Sequence, residues 1–315
     1  MLKTKAIRKI FITTLSLFIL LVVYSIPNTL NNNVLKTNLE LETTTGLYTN
    51  NIYLLNSDNY LVKNKIILDS NNLEDKIKKI ISNLTISNNT KFSNGLKSYI
   101  PKNTRLLNIN KNNKIITLNF SKEFLNVKVT NEKQVISGLV YSILDLDEIE
   151  GISILIENSP LENYPNTNEE LPSILDKSIG INKEYNLSSR KNISKTIVYY
   201  IDRIGEYNYY VPVTKYLNDD RDKIKIIVDE LTTSYIYENN LMSFLNGNAK
   251  LIDYKEQENI MVLNFNNYLY DNKKNILDEV LYSLSYSVFD NYDVNQVILQ
   301  VNGKNIKSIG RNDLK

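Results

Sequence analysis

From residue 47 onward the hydrophobic positions fall into short runs whose period alternates between two residues and about three and a half, which predicts a mixed α+β chain. "LYTNNIYLL" (47–55) and "NYLVKNKIIL" (59–68) are rich in aromatic and branched residues. They predict two strands joined through Asn56, Ser57, Asp58 and Asn59. In "NNLEDKIKKIISNL" the residues Ile77, Ile80, Ile81 and Leu84 follow the i, i+3, i+4, i+7 spacing of a helix that buries one face. Asn72 is placed to cap it, and Glu74 and Asp75 suit the positive end of its dipole. "TRLLNIN" and "KIITLNF" predict a hairpin around Lys111, Asn112 and Asn113. "NEKQVISGLVYSIL" gathers Val135, Ile136, Leu139, Val140, Ile143 and Leu144 on one side of a second helix, and "ISILIE" is a closing strand. The predicted order is β-β-α-β-β-α-β.

The same order follows a second time. "KTIVYYI" and "YYVPVTKYL" are strands, with Pro212 expected at an edge or an end because it offers no ladder N–H. "DKIKIIVDEL" matches "DKIKKIISNL" without a gap, so that Ile224, Ile227, Val228 and Leu231 stand where Ile77, Ile80, Ile81 and Leu84 stood. "AKLIDY" and "NIMVLNF" form the hairpin, "NILDEVLYSLSYSVF" the second helix, and "VILQVNGKNI" the last strand and a Gly turn. Leu-Asn-Phe recurs at Leu118–Phe120 and Leu263–Phe265. In a strand the Leu and Phe share one face and the Asn the other. The tripeptide therefore reads as core packing with one polar rung, and as a register mark for a duplication rather than as a ligand motif.

Before residue 47 the pattern changes. Lys3, Lys5, Arg8 and Lys9 precede an uncharged run from Ile10 to Ile26. As a helix this run spans about 25 Å, the short end of a bilayer crossing. The basic flank predicts an N-terminus inside and a body outside the cell membrane, in a single-pass arrangement. A cleaved secretory signal is the rival reading, and a buried core helix a third. Tyr24, Ser25 and Ile26 make a poor cleavage site, which favours an uncleaved signal anchor. The expected organisation is a cytoplasmic stub at 1–9, a transmembrane anchor at 10–26 and a polar tether at 27–46. Domains at 47–161 and 193–309 follow, joined by a Pro-containing linker at 162–192 with one short helix at Ser173–Ile179, and a tail at 310–315.

Composition narrows the chemistry. The chain has 315 residues, 42% hydrophobic and 23% charged, enough for about two packed domains. Its heavy use of Asn, Ile, Lys and Tyr reads as A+T-rich coding. A prion-like Asn-rich segment fits less well, because the asparagines interleave with regular apolar periodicity. Histidine, cysteine and tryptophan are absent. That excludes Ser-His-Asp and Cys-His catalysis, imidazole metal sites, thiolate nucleophiles and disulfides. Carboxylate-only hydrolysis and oxygen-ligand calcium sites stay open. The formal charge is +2, but four of the 37 basic residues lie in the first nine, leaving 33 basic against 35 acidic in the remainder. Nucleic acid is not an expected partner.

Three stretches of the first unit are "NGLKSYIPKNTRLLNI" with Gly95, Ile100, Pro101, Thr104 and Leu107, "ITLNFSKEF" with Leu118, Asn119, Phe120, Ser121 and Phe124, and "VYSILDLDEIEGISILIEN". Together they resemble the GerM domain (GerMN) of spore-forming, low-G+C Gram-positive bacteria. The second unit resembles it less. It has "LMSFLNGNAKLID" where Ile-Pro would stand and Asn266 where Ser121 stands, but keeps "YYVPVTKYL" and "VNGK". The resemblance implies two tandem two-layer α+β domains, export, a membrane anchor, and a non-enzymatic role in sporulation or germination, helping to assemble or localise envelope proteins. Without a cysteine the chain lacks the family's usual lipid anchor, and the segment at 10–26 stands in for it. The element order is also similar to the ring-building motif of secretion-ring proteins, a likeness of fold alone that makes self-assembly conceivable.

The candidate sites are few. "LDLDEIEG" offers Asp145, Asp147, Glu148 and Glu150, and "LNDDRD" offers Asp219, Asp220 and Asp222; neither has calcium-loop spacing. The first reads as solvating a helix end, the second as capping a helix. No catalytic residue, cofactor site or metal site is expected. Five tyrosines cluster in "YIDRIGEYNYYVPVTKY": Tyr200, Tyr207, Tyr209, Tyr210 and Tyr216. Tyr207, Tyr209, Tyr210 and Tyr216 are the candidate partner surface, set against strand propensity and genomic bias as the plainer reading. The alternative function they suggest is an exported peptidoglycan- or glycan-binding module.

Overall fold

In a computed structural model describing residues 48–88, 92, 95–233 and 240–314, each run of period two is a strand and each of the four long runs of helical period a helix. The segment at 10–26 lies outside the described residues. Among those residues no helix is long and apolar enough to cross a membrane. The first repeat opens with the antiparallel hairpin β1 (Tyr48–Leu55) and β2 (Leu61–Leu68). Helix α1 (Leu73–Leu84) follows; the Asn72 side chain accepts from the N–H groups of Glu74 and Asp75, and Ile77, Ile80, Ile81 and Leu84 are buried. Strands β3 (Leu106–Asn112) and β4 (Ile115–Phe120), helix α2 (Glu132–Ile143), β5 (Gly151–Ile156) and the short β6 (Ser159–Pro160) complete it.

After β7 (Glu184–Asn186) the second repeat runs β8 (Ser194–Ile204), β9 (Tyr207–Leu217), α3 (Lys223–Thr232), β10 (Leu251–Gln257), β11 (Ile260–Phe265), α4 (Asp278–Asn291), β12 (Gln296–Val301) and β13 (Lys304–Gly310). Each repeat thus carries one strand more than the sequence pattern predicts. The added strand follows a two-residue turn with both residues at positive φ, Glu157-Asn158 in one copy and Asn302-Gly303 in the other, which is hairpin geometry.

The duplication is visible in register as well as order. The sheets β3-β4-β5-β6 and β10-β11-β12-β13 share one topology. In each the central pair is parallel, β4 with β5 and β11 with β12, as a helical crossover requires. Both edge strands break register at the same place, between Leu106 and Asn108 and between Leu251 and Asp253. Leu118 and Phe120 are buried, as are Leu263 and Phe265. The Asn between them is also nearly buried and braces the following turn. Asn119 accepts the Asn158 N–H at 3.0 Å, and Asn264 accepts the Gly303 N–H at 2.8 Å. One position on, Ser121 and Asn266 accept the N–H groups of Arg105 and Lys250.

The two hairpins have open edges that an aqueous protein must cover. Helix side chains cover the outer ones. Tyr53 N–H donates to Ser142 Oγ and Tyr199 N–H to Ser287 Oγ, both at 2.9 Å. One step along, Asn51 N–H meets Asp145 at 2.8 Å and Ile197 N–H meets Asn291 at 3.1 Å. On the inner side Asn182 bridges β2 and β9: it accepts the Leu61 N–H and donates to the carbonyls of Leu61 and Pro212. Pro212 sits on a central strand, yet β7 pairs with β9 only over Lys215–Leu217, so no ladder N–H is demanded of it. The short helix expected at Ser173–Ile179 is a single 3-10 turn, Lys177–Ile179. Leu175 exchanges both backbone hydrogen bonds with Ile152, which holds that stretch extended.

Candidate functional site at the junction of the repeats

Equivalent residues meet where the hairpins approach. Tyr53 and Tyr199, which occupy the same position opposite Ser142 and Ser287, bring their hydroxyls to 3.4 Å. Asn56 donates to Asp202 at 2.7 Å, three residues further along both strands. Contacts between like positions are what a local two-fold relation produces. The tyrosines are held by their own repeats: Tyr53 meets Tyr141 edge-on at 5.7 Å, and Tyr199 stacks on Tyr286 at 5.1 Å. Burial holds the hydroxyls of Tyr53, Tyr141 and Tyr199 protonated well beyond the usual range.

The C-terminal ends of α2 and α4 converge beside this pair and line a half-open cavity of about 100 Å³ with Asn51, Lys63, Asp145, Lys177, Asp290 and Arg311 on its wall. Asp290, whose side chain is only 10% exposed, accepts the Tyr199 hydroxyl at 2.6 Å and pairs with Lys177 at 3.1 Å. Burial alone raises the Asp290 pKa; Lys177, Lys63 and the tyrosine outweigh it and hold the carboxyl below the usual range. Burial also works against charge on Lys177, but Asp290 and Asp145 reverse it and raise its pKa. Asp145 Oδ2 accepts both the backbone and side-chain amides of Asn51. Lys63 lies 3.8 Å from the Tyr286 ring centroid and 5.8 Å from that of Tyr199. Burial brings its pKa down to about 8, against the pull of Asp145 and Asp290. Arg311 donates through Nε and Nη2 to the carbonyls of Val294 and Tyr292 and lies over Phe289.

The sequence-chosen tyrosines do not form one surface. Alternation along β9 sends Tyr207 and Tyr209 to one face and Tyr210 and Tyr216 to the other. Tyr207 is 60% exposed, while Tyr209 is half-buried against the core. Tyr210 lies among Tyr282 at 5.8 Å and Tyr286 at 5.3 Å. Tyr216 stacks on Tyr185 of β7 at 4.8 Å, and the buried Tyr200 donates to Glu230. The acidic stretches divide too. Asp222 caps α3, as its position suggests, and Glu148 pairs with Lys76 and Lys111. Asp145, expected to solvate a helix end, instead satisfies a strand edge at the junction. Lys63, Lys177 and Arg311 carry no motif, and nothing in the sequence singles them out. Among the described residues there is no group of three or more carboxylates placed to hold a metal.

Comparison with known proteins agrees with this architecture. The chain is 27% identical over 221 residues to the spore germination protein GerM of Bacillus subtilis (strain 168), a match covering 67% of this chain and 60% of that protein. It thus spans 60% of the length of that relative. Its fold matches the solved tandem GerMN domains of the sporulation protein GerM from Bacillus subtilis with a TM-score of 0.77 and 23% identity, over 84% of this chain and 97% of that one. The model of the family described as "Germane: Sporulation and spore germination" matches twice, over residues 51–162 and 197–307, so the chain belongs to that family and carries two tandem copies of its domain.

Proposed function

We propose that the chain is a non-enzymatic, membrane-anchored protein whose two GerM-like domains lie outside the cytoplasm, where they assist assembly or localisation of envelope complexes in sporulation or spore germination. The observation that carries this reading is the double family match, supported by similarity to a protein named for spore germination. The anchor rests on the basic flank and the uncharged run from Ile10 to Ile26. The non-enzymatic part rests on the residue types missing from the sequence, since without His or Cys the common nucleophile–base pairs cannot be built. The glycan-binding alternative has less to stand on, because Tyr210 is packed among other rings. Two experiments test the proposal. Deleting the gene in a spore-forming host is expected to lower spore yield or slow germination. Protease added to intact protoplasts is expected to degrade the body of the chain. Normal spores that germinate at the wild-type rate, or a body protected from protease, overturn it.

A further inference from the structure

We propose that the cavity between the repeats binds a small zwitterion, a molecule the size of glycine with one carboxylate and one ammonium group. The wall carries three cations, Lys63, Lys177 and Arg311, and three carboxylates, Asp145, Asp147 and Asp290. Part of this charge is committed. Lys177 and the Tyr199 hydroxyl serve Asp290, and Arg311 spends Nε and Nη2 on backbone carbonyls. Three vertices are left without a hydrogen-bond or ion-pair partner among the described residues: Lys63 Nζ, Arg311 Nη1 and Asp145 Oδ1.

Charged groups in such a place are costly unless they are paired. A lone anion in this space meets three carboxylates and a lone cation meets three cations, so each is repelled by half the wall. A zwitterion presents each of its charges to the opposite one: its carboxylate to Lys63 and Arg311, its ammonium to Asp145. About 100 Å³ holds several water molecules, which is the scale of the smallest α-amino acids and too little to take a large side chain inside. The inference concerns a site that the proposed assembly role does not require, and it stands or falls separately.

The test is calorimetric titration of the full chain with glycine, acetate, methylammonium and phenylalanine in turn. Saturable binding of glycine is expected, with acetate and methylammonium at least about tenfold weaker and phenylalanine without effect. Lys63→Met and Asp145→Asn are each expected to weaken glycine binding by about tenfold or more. Asp145→Asn keeps an acceptor for Asn51, so it serves if Lys63→Met does not fold. Tyr207→Phe, far from any partner, is expected to bind as the parent does. Absence of saturable glycine binding, acetate or methylammonium binding as tightly as glycine, or unchanged affinity in Asp145→Asn overturns the proposal and leaves a cavity filled by water.

Discussion

Removing one oxygen atom at the junction, through Tyr199→Phe, tests how far the buried hydroxyl–carboxylate pair of the second repeat stabilises the fold. The Tyr199 hydroxyl donates to a carboxylate that is 10% exposed, at 2.6 Å, and touches Tyr53 across the junction at 3.4 Å. A hydrogen bond to a charged, poorly solvated acceptor is worth about 1.5–3 kcal/mol, because its loss leaves the acceptor short of a donor. The ring stays, so its stacking on Tyr286 and the core volume are unchanged. For a unit of about 270 residues the loss corresponds to roughly 3–5 °C in melting temperature. Tyr53→Phe removes only the long neutral contact and is expected to cost about 0.5–1 kcal/mol.

The effect depends on pH in a defined direction. The Asp290 carboxyl is held below its ordinary value in the folded chain, so its stabilisation is present above the unfolded carboxylate pKa of about 3.9 and is lost as pH falls through the lower folded value. Tyr199→Phe is therefore expected to cost most near neutrality and little in strong acid. Urea unfolding followed by far-ultraviolet circular dichroism, with Tyr207→Phe as the exposed control, measures it. A loss below about 0.5 kcal/mol at neutral pH, or one that does not shrink toward acid, refutes the reasoning.

Three further outcomes follow from the same geometry. Asn119→Ala and Asn264→Ala, which remove equivalent turn braces, are each expected to cost about 1–3 kcal/mol by urea unfolding. Gly138→Ala is expected to destabilise by about 1–3 kcal/mol, because its Cβ falls against Tyr99 Oη and 2.9 Å from a Leu61 methyl; thermal unfolding measures it. Lys63 has a pKa of about 8 in the folded chain against about 10.4 free, so the unfolded chain binds the extra proton between those values and stability rises with pH across that window. In Lys63→Met the rise between pH 8 and about 10.4 should disappear from the urea midpoints.

What was legible in the sequence is what local periodicity encodes. The buried face of α1 is Ile77, Ile80, Ile81 and Leu84, and its repeat in α3 includes Ile224, Ile227, Val228 and Leu231. Leu-Asn-Phe marked register because alternation in a strand is strict. The turn at Glu157 and Asn158 was missed because β6 has only two residues, too short to show a period. The tyrosine surface dissolved for a related reason: clustering along the chain says nothing of face, and alternate residues of β9 part company. The junction was illegible because its members are far apart in sequence and individually ordinary. Lys63 sits among other strand lysines, and Lys177 in a stretch without pattern.

The duplication explains why a charged cavity exists there and also why it is not symmetric. Asp145, just past the end of α2, and Asp290, in the last turn of α4, stand at equivalent places, so two copies of the domain bring two carboxylates together. In the first hairpin Tyr53 stands opposite Lys63; in the second, Tyr199 stands opposite Pro212. One copy therefore supplies a cation and the other cannot. The missing charge comes from outside the repeated unit, as Lys177 from the connecting segment pairs with Asp290. That pairing leaves Lys63 and Asp145 as the less satisfied half of a once-equivalent arrangement. The connecting segment thus does more than span the repeats: Asn182 bridges their inner strands, and Lys177 neutralises Asp290 while Asp145, on the same cavity wall, has no ion-pair partner among the described residues.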